Sequence, residues 1–255
     1  MKTHLVQFDI AWECKPRNHA KVRALLDAEN PAPGSLIVLP EMFSTGFSMN
    51  LSVTAQRPER EDEAFLSELA MTYQCAVTGG VISPMESGMA RNESVTFGPD
   101  GGILGRYAKM QPFTLGGEAT GHLPGEQVVT FAWQGFVVSP FVCYDLRFPE
   151  HFRTAARLGA NLFTVLANWP VKRYHHWLTL LQARAIENQA YVIGVNRSGS
   201  DPSLHYNGRS VVASPHGHIV ADAGEGEGVV TASVLLEEVT QWRADFPALQ
   251  DIRHA

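Results

Sequence analysis

Two rhythms of apolar residues run along this chain. Short apolar runs bounded by Gly, Pro or Asp read as strands, and stretches with apolar residues three or four apart read as helices. By that test, strands are predicted over residues 3–10, 35–39, 75–82, 136–144, 161–167 and 191–196. Helices are predicted from Pro16 to Asn30 on Val22, Leu25 and Leu26, and over 61–73 on Phe65, Leu66, Leu69 and Ala70. Two more cover 149–158 and, with the clearest spacing, 174–188, where Trp177, Leu180, Leu181 and Ala185 share a side. Residues 91–107 read as a hairpin around Pro99-Asp100-Gly101-Gly102, which carries turn chemistry. Towards the end strands dominate, over 208–214, 217–222 and 229–235. Strands alternating with helices and then giving way to strands predict an α/β layered fold with mixed sheets. No internal repeat or linker divides the chain, so residues 1–255 are expected to form one domain. The run over 110–127, rich in Gly, Pro and Thr, is long for a loop in a compact domain and is expected to be mobile or functional.

Composition narrows the classes. With 45% hydrophobic and 18% charged residues the chain can bury a sizeable core and is not of disordered type. A net charge of −6 argues against a nucleic-acid partner, which calls for a basic excess. The three cysteines, Cys14, Cys75 and Cys143, make no disulfide framework and no zinc-type pair. Asp9 and Glu13 stand where a signal peptide needs an apolar run, and no stretch approaches the ~20 apolar residues of a membrane span. The expectation is a reduced, cytoplasmic protein with no membrane or nucleic-acid partner and no metal.

Three strand ends carry residues capable of chemistry. Cys143 closes the apolar run from Phe136, and a turn from Asp145 leads into a helix at Pro149. A thiol at such an elbow can stand above the sheet, with the backbone N–H groups of the turn aimed at an incoming carbonyl oxygen. A buried structural cysteine fits the same position. Glu41 follows the strand ending at Pro40, and Lys109 follows the run from Ile103. Singly they read equally as a solvated acid and a surface lysine. Together they supply a base, a cation and a nucleophile that strands running the same way would bring to one edge. The ten histidines have no metal-ligand spacing and read as surface or rim residues.

Leu39-Pro-Glu-Met-Phe, Tyr107-Ala-Lys-Met and Cys143-Tyr-Asp-Leu-Arg-Phe-Pro-Glu, in that order, resemble the three signature segments of the nitrilase superfamily of carbon–nitrogen hydrolases. The resemblance continues through Ala167-Asn-Trp-Pro, Gln182-Ala-Arg-Ala-Ile-Glu-Asn-Gln, Gly194-Val-Asn-Arg and Phe246-Pro-Ala-Leu, and so spans nearly the whole chain. It implies a four-layer α-β-β-α sandwich paired into a homodimer. It further implies that Glu41 is the base, Lys109 the oxyanion-stabilising cation and Cys143 the nucleophile, with Glu118, a second glutamate in the loop after the lysine, as a further catalytic residue that helps Glu41 activate water. Lys109 and the Tyr144 backbone N–H would hold the oxyanion, and no cofactor is required. Gln111 is a departure, since many relatives have His two positions after the lysine.

Ala167-Asn-Trp-Pro followed by Arg173 and Trp177 is similar to the ω-amidases, which hydrolyse the terminal amide of 2-oxoglutaramate and 2-oxosuccinamate. An anionic substrate needs a cation for its carboxylate, and arginine supplies two parallel hydrogen bonds. Arg173 is the first candidate and Arg147 the second, although bracing Glu150 or the turn is the role favoured for Arg147. Trp169 reads either as a wall of the pocket or as a packed core aromatic. The same chemistry on an N-carbamoyl amino acid, an aliphatic amide or a nitrile is the alternative, and a non-catalytic scaffold a further one.

Overall fold

The computed structural model describes residues 1–253. Two six-stranded mixed sheets lie face to face. In spatial order the first comprises Gly228–Ser233, Lys2–Gln7, Leu36–Val38, Ala76–Pro84, Ala90–Phe97 and Ile103–Ala108. The second comprises Ile219–Asp222, Val211–Ala213, Tyr191–Asn196, Leu162–Ala167, Phe136–Val142 and Phe131–Trp133. Within each sheet the three central strands pair in parallel and the outer strands antiparallel.

The layering follows from the two-residue period of the strands. Leu36 and Val38 pack inward with Leu5 against Val138, Leu162, Ile193 and Val195 of the facing sheet. Ile37 and Leu39 point outward into a cluster with Val22, Leu26, Phe65, Leu66 and Leu69, which come from the helices Lys15–Glu29 and Glu61–Tyr73. On the far side Phe141, Phe163 and Val192 meet Phe152, Trp177 and Leu181 of the helices Pro149–Arg157 and Tyr174–Asn188. Central strands covered on both faces read as continuous apolar runs, as they do in the sequence. The result is the four-layer α-β-β-α sandwich that the resemblance implied.

Some elements depart from the sequence expectations. The first strand ends at Gln7 rather than residue 10, and the strand expected over 208–214 is confined to Val211–Ala213. Leu236–Asp245 is a helix that the periodicity did not announce, because Val239 is its one fully buried side chain. Ser198–Ser200 and His205–Asn207 form a small separate hairpin with no apolar run behind it. The expected 91–107 hairpin is present, with Glu93 opposite Ala108. The long 110–127 segment is tied down by two 3₁₀ turns, Thr114–Gly116 and Glu118–Thr120, and by Gly125 N–H donating to the Lys109 carbonyl at 2.8 Å. Among the described residues no helix is long and apolar enough to cross a membrane.

Candidate active site

The ends of the central strands converge at one edge of the sandwich. Leu36–Val38 leads through Pro40 to Glu41, Phe136–Val142 leads to Cys143, and Leu162–Ala167 leads to Asn168. Ile103–Ala108 lies two antiparallel pairings away from Ala76–Pro84, so it runs in the same direction and delivers Lys109 to the same edge. Gly80 permits the close approach at Glu41: a Cβ there would fall 2.6 Å from the Glu41 Cα. Met42 and Cys143 both adopt left-handed backbone, each with φ near 46°. For such residues this conformation costs ~1–3 kcal/mol and is held by its surroundings.

Lys109 is buried and donates at 2.8 Å to Glu41 Oε1 and at 2.8 Å to Glu118 Oε2. Asn92 Nδ2 bridges the same two acids, 2.8 Å from Glu41 Oε1 and 2.8 Å from Glu118 Oε1. Phe113 N–H donates to Glu118 Oε2 at 2.6 Å. The Asn168 N–H donates to Glu41 Oε2 at 3.0 Å, and its Nδ2 to the Glu41 carbonyl at 2.7 Å. Burial works against the Lys109 ammonium, but Glu118 and Glu41 more than reverse this and hold its pKa above the ordinary range. For Glu118 burial pushes upward, and the Lys109 charge with the Lys109, Phe113 and Asn92 hydrogen bonds outweighs it, leaving the carboxyl below its usual range. The lysine is therefore a permanent cation between two carboxylates. Glu118 spends its oxygens on Lys109, Asn92 and Phe113, so its direct effect is to fix the lysine.

Cys143 opens a 3₁₀ turn, Cys143–Arg147, and its half-buried thiol lies 3.9 Å from the Asn168 carbonyl. Burial and then the Glu41 charge push the thiol well above its usual range, with Lys109 pulling the other way. A thiol held above its usual range is neutral near pH 7, and it would need a base to act as a nucleophile. Asp145, fully buried in the same turn, accepts from Val142 N–H at 3.0 Å, Gln111 N–H at 2.9 Å and the Tyr107 hydroxyl at 2.8 Å. Burial raises its carboxyl to about 7, against the pull of Lys109 and of those three donors.

A cavity of about 180 Å³ opens onto this cluster, with Lys109, Cys143 and Asn168 in its wall. Tyr144, Trp169 and Arg173 line it as well, so the structure gathers these three candidates beside the thiol. Trp169 is nearly buried and donates through Nε1 to the Arg173 carbonyl at 2.8 Å. Arg147 lines the cavity too, its guanidinium 4.8 Å from the Trp169 ring centre. It forms no ion pair with Glu150, the partner expected for it, and its polar neighbour is His176 Nδ1 at 3.3 Å. Neither Arg147 nor Arg173 is paired with a carboxylate among the described residues. Burial first, and then the Arg173 charge, lower the pKa of Arg147. Among the described residues no histidine lines the cavity, and no group of three His, Cys, Asp or Glu is placed to hold a metal.

Asn92 and Asp145 were not singled out by sequence reasoning, and Asn168 stood in a quoted segment without a role. For Asn92 a signal existed: Asn92-Glu93-Ser94 is a polar interruption in a strand buried on both faces. Asp145 had none beyond its place two residues after Cys143.

A thiol at an elbow, beside a fixed ammonium and a fully hydrogen-bonded carboxylate, is equipment for acyl transfer from an amide or related carbon–nitrogen bond. Residues 2–244 match the carbon–nitrogen hydrolase family. The chain belongs to that family, within the nitrilase superfamily. It is 39% identical over 253 residues to the omega-amidase YafV of Yersinia enterocolitica, covering 98% of this chain and 96% of the relative. It is 32% identical over 249 residues to the 2-oxoglutaramate amidase of Bacillus subtilis, covering 97% and 96%. Among solved structures, a CN-hydrolase superfamily protein of Xanthomonas campestris with an arsenic adduct in its active site superposes with a TM-score of 0.94. That protein is 34% identical, and the match covers 100% of this chain and 98% of the other.

Proposed function

We propose that this protein is an ω-amidase that cleaves the terminal amide of small 2-oxo acids, such as 2-oxoglutaramate and 2-oxosuccinamate, to the acid and ammonia. The observation that carries the substrate reading is the cavity wall: two arginines with no carboxylate partner among the described residues share it with the Cys143 thiol. A substrate with a carboxylate at one end and an amide at the other matches that pair of features. The names of the Yersinia and Bacillus relatives support the same reading.

In the proposed cycle the Cys143 sulfur attacks the amide carbon while Glu41 takes the thiol proton. The carbonyl electron pair moves onto oxygen, and the oxyanion is held by Lys109 and the Tyr144 backbone N–H. Collapse expels ammonia, which takes the proton back from Glu41, and a thioester remains on Cys143. Glu41 then deprotonates a water that attacks the thioester, and the thiol leaves with that proton. Glu118 keeps Lys109 in place throughout. No step calls for a cofactor. The enzyme is read as cytoplasmic, where a free thiol stays reduced, and as a homodimer.

Ammonia release from a panel of 2-oxoglutaramate, an N-carbamoyl amino acid, a neutral aliphatic amide and a nitrile tests the assignment. The 2-oxo acid amide should give the highest kcat/KM, and Cys143→Ala should abolish turnover. A preference for the neutral amide removes the ω-amidase reading, and full activity in Cys143→Ala removes the mechanism.

A further inference from the structure

The site is assembled from two sheets that share no strand pairing, and the thiol must stand in register with the ammonium. Glu41, Asn92 and Lys109 come from the first sheet, Cys143 and Asn168 from the second. One tie across the gap runs from Asn168 to Glu41. Asp145 makes another. Its Oδ2 takes the N–H of Val142, the residue before the thiol, and its Oδ1 takes the N–H of Gln111, two residues past the lysine. The Tyr107 hydroxyl, on the lysine's own strand, donates to the same Oδ2, and the Tyr107 ring packs edge-on against Phe141 of the nucleophile strand. From outside, Arg184 on the long helix caps the same turn at the Leu146 carbonyl, 2.7 Å away.

We propose that Asp145 is a positioning residue for the hydrolase reaction, which sets Cys143 against Lys109 by accepting one backbone N–H from each of their segments. A carboxyl group is required because the two donors are fixed backbone groups on opposite oxygens. The carboxylate serves both. The neutral acid serves both as well, if its own proton is given to the Tyr107 hydroxyl oxygen. Asparagine cannot, since its NH₂ must face one of the two N–H donors. The displaced donor is then either the elbow before Cys143 or the segment after Lys109. This proposal rests on the reading of Cys143 and Lys109 as nucleophile and cation.

The test compares Asp145→Asn, Tyr107→Phe and the double variant in kcat, KM, melting temperature and the iodoacetamide alkylation rate of Cys143, with Cys143→Ala alongside. Asp145→Asn should lower kcat by about 10- to 100-fold, the cost of a sub-ångström to ångström misplacement of a reacting group, with KM within about twofold. Tyr107→Phe should lower kcat by about threefold or more, and the double variant should be no worse than Asp145→Asn alone, because the two act through one group. A folded Asp145→Asn with wild-type kcat overturns the proposal, as does one in which only the melting temperature falls. Should Asp145→Asn not fold, Tyr107→Phe decides: lowered kcat with KM kept upholds the role, and unchanged kcat overturns it. Activity surviving in Cys143→Ala would instead overturn the proposed mechanism and this role with it.

Discussion

Removing the cavity arginines gives the most direct measure of what the pocket recognises. Arg173 sits with its guanidinium 5.7 Å from the Phe113 ring centre, and Arg147 lies over Trp169. Both are partly buried, and among the described residues neither has a carboxylate to satisfy it. Their proximity is felt electrostatically, since the Arg173 charge helps to lower the pKa of Arg147. A substrate carboxylate between them relieves that repulsion while making charge-assisted hydrogen bonds worth about 1.5–3 kcal/mol each. Arg173→Ala should therefore cost about 10- to 150-fold in kcat/KM for 2-oxoglutaramate, mostly in KM. Arg147→Ala should cost a similar amount. The double variant should lose less than the product of the two, because both arginines hold one carboxylate. Arg173→Lys should recover only part of the loss, for lack of the planar fork. A neutral amide of similar length, assayed by ammonia release in parallel, should change by less than about threefold for every variant if the arginines serve only the carboxylate. Equal losses on charged and neutral amides would show that the arginines shape the pocket instead, and the substrate assignment would fall with that result.

Asn92→Ala withdraws the donor shared by Glu41 and Glu118; kcat should fall by at least about tenfold, since each lost hydrogen bond to a charged group is worth ~1.5–3 kcal/mol, and unchanged kcat would refute its role in fixing the two acids. Glu63 is held at about 2: burial raises it, but Arg60, Arg106 and Gln56 outweigh burial, so it contributes stability above pH 4.5 that is lost as pH falls towards 2. Glu63→Gln should therefore be less stable than the wild type at pH 7, by about 1–2 kcal/mol after allowance for the part-exposed arginines, and the gap should close near pH 2; a pH-independent gap in urea midpoints would contradict this. Light scattering at micromolar concentration should give twice the mass of one chain, and a monomer mass would reject the homodimer.

Much of the fold was legible because the central strands and their covering helices carry clear periods. Leu36–Val38 and Leu162–Ala167 are apolar on both faces, and Tyr174–Asn188 repeats its apolar residues at helical spacing. The helix Leu236–Asp245 escaped because a helix with one fully buried side chain has little apolar stripe to read. The hairpin over 198–207 escaped because it is held by polar contacts: Arg197 reaches Asp9 at 2.8 Å, and Tyr206 donates to Asp201 at 2.5 Å.

The site divides in the same way. Glu41, Lys109 and Cys143 could be chosen from strand ends and from the resemblance, because each stands in a local segment. Apart from Asn92, what holds them together has no local trace. Asn168 meets Glu41 across 127 positions of sequence, and Asp145 meets Gln111 across 34. These contacts exist only once two sheets have stacked, and they are made by amide and carboxyl groups that look like ordinary turn residues in a sequence. The two arginines illustrate the converse. Arg147 was expected to brace Glu150 or the turn. The turn from Cys143 to Arg147 is 3₁₀ and the helix begins at Pro149, and the guanidinium lies over Trp169 and lines the cavity. The backbone elbow that presents the thiol thus also places a cation in the pocket, and the five residues from Cys143 to Arg147 connect the proposed chemistry to the proposed substrate recognition.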